Sequence, residues 1–175
     1  MNIFILSLII TECAMFHNNK HCVKMILEYA QLLCSAQRLF LDDEELKNKF
    51  YKLTHKNHPQ LKWVIASDVN YTWLYNLFIA LCDEYTLRYS KIHKCDFLFR
   101  TLLKTAPEKL PKGDLTLFAI TTNEDINNKY KKLIENESEF SRKQELVVEA
   151  YREYYMTSKR SFCVWKCRDV PEWFD

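Results

Sequence analysis

The sequence predicts an all-α fold: a single compact helical domain over residues 1–175, with one short N-terminal β-strand or extended segment. Three observations carry this. Gly113 is the one glycine among 175 residues, beside four prolines, too few for the tight turns of sandwiches and barrels. Apolar residues recur at helical spacing through most of the chain. One nearly unbroken apolar run, Ile3–Ile10, has the length and β-branched content of a buried strand.

The elements follow in order. Thr11 can cap a helix, with Glu12 favourable in its first turn, and the apolar pattern carries that helix to about Phe40. Val23, Ile26, Leu27, Ala30, Leu33 and Cys34 form its expected buried stripe. Residues 42–53 read as a short charged helix capped by Asp42 or Asp43. Thr54 to Pro59 is a loop, and Pro59 suits the first position of a new helix. That helix runs from Gln60 to Arg88 with a break near Ser67-Asp68, and Tyr71, Leu74, Leu77, Phe78, Leu81 and Tyr85 make its core stripe. Residues 104–122 hold two prolines and the glycine, the longest expected non-helical stretch. Asn123–Glu135 and Glu139–Lys159 are two more helices, the latter with Leu146, Val147, Ala150, Tyr151 and Tyr154 inward. The aromatic tail, Phe162, Trp165, Trp173 and Phe174, should dock on the body.

Composition excludes several functions. Apolar residues at 48% and aromatics at 14% are enough for a packed core and speak against disorder. A lone glycine rules out glycine-rich phosphate loops and dinucleotide fingerprints. A net charge of +2 gives no bulk attraction for nucleic acid, so an anion site needs local clustering. Seven cysteines, an odd number without CxxC spacing, read as free thiols in a cytosol-like compartment. Ile3–Ile10 lacks a basic leader, has Glu12 where a cleavage region would fall, and is too short to span a bilayer. The expected setting is cytoplasmic, with no membrane partner.

The first long helix carries the chemistry. His17, Lys20 or His21, Lys24, Glu28 and Gln31 recur at three- and four-residue steps and so share a face. Imidazoles titrate near neutral pH, lysines attract an anion, and Glu28 can pair with Lys24 or act on a bound substrate. His17 and His21 also have metal-ligand spacing, but Asn18, Asn19 and Lys20 between them break the metalloprotease pattern and the lysines repel a cation, so neither metal nor cofactor is expected. Two further basic-aromatic clusters stand out. One comprises Glu84, Tyr85, Arg88, Tyr89, Lys91, His93 and Lys94; the other Arg152, Tyr155, Lys159 and Arg160 with Trp165, Lys166 and Arg168. No GxSxG motif is present, and a Cys–His nucleophile stays open because spatial pairing is invisible in sequence.

The run His17-Asn-Asn-Lys-His-Cys-Val-Lys-Met-Ile-Leu-Glu28-Tyr-Ala-Gln31, with His58-Pro59, Asn70-Tyr71, Arg88-Tyr89 and the ending Val164 to Trp173, resembles a family of helical proteins from phages and large DNA viruses. More distantly, it resembles the phage pyrimidine-dimer DNA glycosylases, single all-α domains whose first helix carries a histidine and, seven residues later, the catalytic glutamate. His21 and Glu28 have that spacing, and Asn19 precedes the histidine by two. The resemblance implies N-glycosidic cleavage followed by lyase chemistry, in which an N-terminal amine attacks the anomeric carbon of the sugar and forms an imine. Transferred here, Glu28 and His21 are the catalytic pair. His17, Asn19, Lys20, Lys24, Gln31, His58, Tyr71, Arg88, Tyr89, His93, Lys94 and Arg152 are the expected substrate and phosphate contacts.

One departure bears on the nucleophile. The family exposes it by removing Met1 ahead of a small residue, and Asn2 is not small. Either the Met1 amine acts, or Lys24 or Lys20 replaces it, or imine chemistry is absent. The expected partner is nucleic acid or a nucleotide. A catalytically silent nucleotide-sequestering protein is the alternative function, and a homo-oligomer through the aromatic tail is a further expectation.

Overall fold

The computed structural model describes residues 1–174. In chain order the helices are α1 (Ile10–Phe16), α2 (Asn19–Phe40), α3 (Glu44–Lys47), α4 (Pro59–Val64), α5 (Asp68–Tyr89), α6 (Lys94–Phe99), α7 (Glu124–Asn136) and α8 (Phe140–Tyr154). A π-helical turn at Tyr155–Lys159 and 3-10 turns at Arg160–Phe162 and Glu172–Phe174 finish the chain. The all-α expectation holds.

The N-terminal strand does not form. Residues 1–9 run without regular structure, and Ile3, Phe4, Ile5 and Leu6 are buried. Among the described residues no second strand exists to pair with them, so their backbone groups find side chains instead. Phe4 N donates to Tyr29 Oη at 3.4 Å, Leu6 N to Cys13 Sγ at 3.4 Å, and Leu6 O accepts from Arg152 Nε at 2.9 Å. Helices α1, α2 and α8 thus grip an extended apolar thread.

The first long helix is also two helices rather than one. Asn18 takes an extended backbone and its side chain accepts from His21 N at 3.0 Å. An asparagine that caps a new helix competes with continuing the old one, and such a cap is worth about 1 kcal/mol. The carbonyls left open at the end of α1 are taken by Arg88 of α5, whose guanidinium donates to Met15 O and His17 O, both at 2.8 Å. Its Nε binds Glu84 Oε1 at 2.7 Å, and Glu84 in turn accepts from Arg168 of the tail at 2.8 Å. Burial alone would raise the Glu84 carboxyl, but hydrogen bonds from Arg168 and Arg88 bring it below its usual value.

Helix α2 packs on α5 and wraps the thread on another side. Its buried face is accordingly rotated and widened to Cys22, Met25, Ile26, Tyr29, Ala30 and Leu33, while Val23 and Leu27, expected inside, are exposed. The break near Ser67 is present: Ser67 caps α5, accepting from Asn70 N at 3.0 Å. Tyr71, Leu74, Leu77, Phe78 and Leu81 are buried as the periodicity requires, and Tyr85 is half-buried. Helix α6 falls in a region read as a polar cluster. His93 caps it, its Nδ1 accepting from Cys95 N at 3.1 Å. Residues 104–122 are irregular and lie over the body, burying Leu110 and Phe118. In the tail Trp165 and Phe174 are buried, and Phe162 and Trp173 are half-buried.

Candidate active site

Glu28 sits midway along α2 with its side chain 12% exposed, neither in open solvent nor in the core. Lys24, one turn earlier, brings Nζ to 3.3 Å from Oε1. Oε2 accepts from Asn2 N at 2.9 Å and lies 3.9 Å from the Met1 nitrogen. The carboxylate therefore faces three nitrogens, two of them at the head of the extended thread. His58 feels the charges of this group. Its Nδ1 caps α4 by accepting from Gln60 N at 3.2 Å. Burial lowers the imidazole below its usual value, the Met1 ammonium adds to the lowering, and Glu28 opposes it.

Neither His17 nor His21 shares this position. His21 is buried at 7% exposure, stacked on Phe4 at 4.3 Å, with Nδ1 and Tyr155 Oη sharing a 2.5 Å hydrogen bond. His17, in the break, is fully buried; its Nδ1 donates to Cys13 O at 2.7 Å, so in the neutral ring Nε2 accepts from Tyr29 Oη at 2.8 Å. Burial drives both imidazoles down, His17 to about 4 and His21 to about 3. Both are neutral near pH 7, and their neighbours use them as hydrogen-bonding wedges. The expectation of a solvated face that includes both imidazoles is corrected on this point. The face was inferred from spacing alone, and α2 is covered on more sides than one.

The other expected contacts divide in two. Tyr71 is buried, donating to Leu103 O at 2.9 Å and accepting from Gln37 Nε2 at 2.8 Å. Arg88 is 2% exposed, and its donors go to Glu84, Met15, His17 and Asn19. Neither presents a polar atom to an outside phosphate. Arg152 belongs elsewhere: it donates to Leu6 O and lies over the Phe16 and Trp173 rings, beside a cleft of about 820 Å³ that Glu28 does not line.

At the N-terminal end of α2 residues of the polar face and of the two basic-aromatic clusters of the sequence meet. Exposed Lys20 lies 4.7 Å from the centre of the Phe162 ring. Asn19 Oδ1 accepts from Lys166 N at 2.9 Å, Tyr89 donates to Asn19 O at 3.4 Å, and the Lys166 ammonium covers the Tyr89 ring at 5.3 Å. His93 is half-buried beside Tyr85, Lys94 is exposed, and Gln31 is half-buried one turn beyond Glu28.

Sequence reasoning missed the residues that hold the thread. Asn2 Oδ1 accepts from Thr121 Oγ1 at 2.5 Å, Tyr151 Oη at 3.1 Å and Gln60 Nε2 at 3.3 Å, and Asn2 Nδ2 donates to Thr121 O at 2.8 Å. The partners come from positions 60, 121 and 151, and no local pattern announces them. The one available signal was a polar residue ahead of an apolar run.

A family model described as pyrimidine dimer DNA glycosylase matches residues 1–97, more than half of the chain. The chain belongs to the pyrimidine dimer DNA glycosylase family. No curated protein and no solved structure matches it. The matched segment contains Met1, Asn2, Lys24 and Glu28, and so the carboxylate with the three nitrogens it faces, as well as His58. Thr121 and Tyr151, which complete the hold on Asn2, lie beyond it. A glycosylase of this family works on DNA, and the exposed lysines around α2 are suited to phosphates. Among the described residues no helix is long and apolar enough to cross a membrane, and no three His, Cys, Asp or Glu side chains gather around a common point for a metal.

Proposed function

We propose that the protein is a DNA N-glycosylase with lyase activity toward damaged pyrimidines, and that the reaction takes place between the Met1 nitrogen and Glu28. The observation that carries this is their separation, 3.9 Å with the Met1 side chain 4% exposed, in a chain of the glycosylase family. In the proposed step the deprotonated amine attacks C1′ of the damaged nucleotide. A nitrogen–carbon bond forms, the glycosidic C1′–N bond breaks, and its electron pair leaves with the base, which takes up a proton. Ring opening then moves the C1′–O4′ pair onto O4′, which is protonated, leaving an imine between the chain and the sugar.

Glu28 serves twice in this reading. It holds the proton that the amine gives up, and its negative charge faces the positive charge that grows at C1′. Lys24 pairs with the carboxylate and, with Lys20, holds phosphate. Borohydride reduction of a reacting mixture of the protein and a duplex carrying one thymine dimer tests the reading, after intact mass has established that residue 1 is retained. A covalent protein–DNA adduct is expected, with cleavage of the glycosidic bond at the dimer falling about a hundredfold or more in Glu28→Gln. Absence of an adduct from wild-type protein rejects it, and so does glycosidic cleavage unaffected by Glu28→Gln.

A further inference from the structure

We infer that Asn2 is a positioning residue whose side-chain amide fixes the head of the chain so that the Met1 nitrogen stays against Glu28. This rests on the glycosylase reading of that site and adds to it the group responsible for aiming the amine.

Both ends of the Asn2 amide are committed. Its nitrogen donates to Thr121 O. Its oxygen receives the Thr121 hydroxyl, the Gln60 amide, Ile3 N at 2.9 Å, and the Tyr151 hydroxyl, whose hydrogen is shared with Ala119 O at 2.9 Å. Gln60 Nε2 and Thr121 N also bind Tyr151 Oη, at 2.9 and 3.1 Å. Three separate parts of the fold, α4, the 104–122 stretch and α8, thus close on one side chain, and Gln60 and Tyr151 are buried.

The consequence for Met1 is geometric. Asn2 N is bonded to Glu28 at 2.9 Å. The peptide between residues 1 and 2 is planar, so with Asn2 fixed the Met1 nitrogen moves by rotation about a single bond. The buried Met1 side chain, whose sulfur receives the Thr54 hydroxyl at 3.9 Å, restricts that rotation too. A nucleophile on a loose chain end would spend most of its time out of line. A displacement on the order of 1 Å can cost about a hundredfold in rate. Asn2 also bears on the departure from a small second residue: its amide converts the position ahead of the apolar run into an anchored one.

The test uses Asn2→Leu, which is large enough to retain Met1 and makes none of these bonds. Intact mass and thermal unfolding are recorded first. Single-turnover borohydride trapping is then measured at saturating thymine-dimer duplex, with DNA affinity measured separately. The expected result is a trapping rate 10- to 100-fold lower with Kd unchanged within about twofold, since the phosphate contacts are untouched. Thr121→Val, which removes one bond to Asn2, should lower the rate less, and Thr121→Ser should restore it. This pair carries the test alone if Asn2→Leu does not fold. A wild-type trapping rate in Asn2→Leu, or equal rates in Thr121→Val and Thr121→Ser, overturns the inference while leaving the glycosylase reading intact. Failure of wild-type protein to trap any DNA overturns that reading itself, and the inference with it.

Discussion

Acidification measures whether His17 and His21 are the buried, neutral groups described above or titrating partners of a substrate. The two are 0% and 7% exposed, and burial brings them to about 4 and about 3, against roughly 6.5 in an unfolded chain. Below pH 6.5 the unfolded chain takes up protons that the folded chain refuses. Stability is therefore full above 6.5 and declines as pH falls toward the folded values. At pH 5.0 each histidine has lost about 2 kcal/mol, from about 1.36 kcal/mol per pH unit across about 1.5 units, or about 4 kcal/mol for the pair. His58 and His93 are lowered by burial as well and act in the same direction. Glu84, held low, withdraws its contribution only below its ordinary 4.5, so the window between pH 6.5 and 5 belongs to the imidazoles. Urea unfolding at pH 7.5, 6.5, 5.5 and 5.0 reads the effect. A stability constant within about 1 kcal/mol over that range would refute the burial argument and return the imidazoles to the list of proton donors.

Two other outcomes separate surface lysines from the buried arginine. Replacing Lys20 and Lys24 together by Ala should reduce the slope of log affinity against log salt by about 2 for duplex DNA; an unchanged slope removes both from the phosphate contacts. Arg88→Met should cost about 3 kcal/mol of stability, because α1 loses its carbonyl partner and Glu84 one of its two guanidiniums, and should leave the salt slope of the folded protein as it was. A lowered slope would put Arg88 at the phosphates.

Much of this was legible in the sequence. One glycine and helical periodicity gave the fold class, Pro59 the start of α4, and Ser67 the break before α5. Glu28 also stood out, because a carboxylate one turn from Lys24 is a local feature. What was not legible depends on distant contacts. Arg88 looks basic and exposed beside Tyr89 and Lys91 until α1 ends above it and supplies carbonyls from positions 15 and 17. His21 looks like a surface neighbour of Glu28 until Phe4 and Tyr155 close over it. Asn18 could have revealed the split of the first helix by its capping chemistry, since it lies in the polar run from His17 to His21 that interrupts the apolar pattern. The Asn2 site has partners 58, 119 and 149 positions away, beyond the reach of any local pattern.

The most direct measurement is the location of the reduced adduct. After borohydride trapping on thymine-dimer duplex, nuclease and protease digestion and mass spectrometry identify the modified amino group. The sugar-derived mass is expected on the α-nitrogen of Met1, in the peptide that also contains Asn2 and Ile3. The same mass on Lys24 or Lys20 instead would contradict the placement of the nucleophile at the head of the thread.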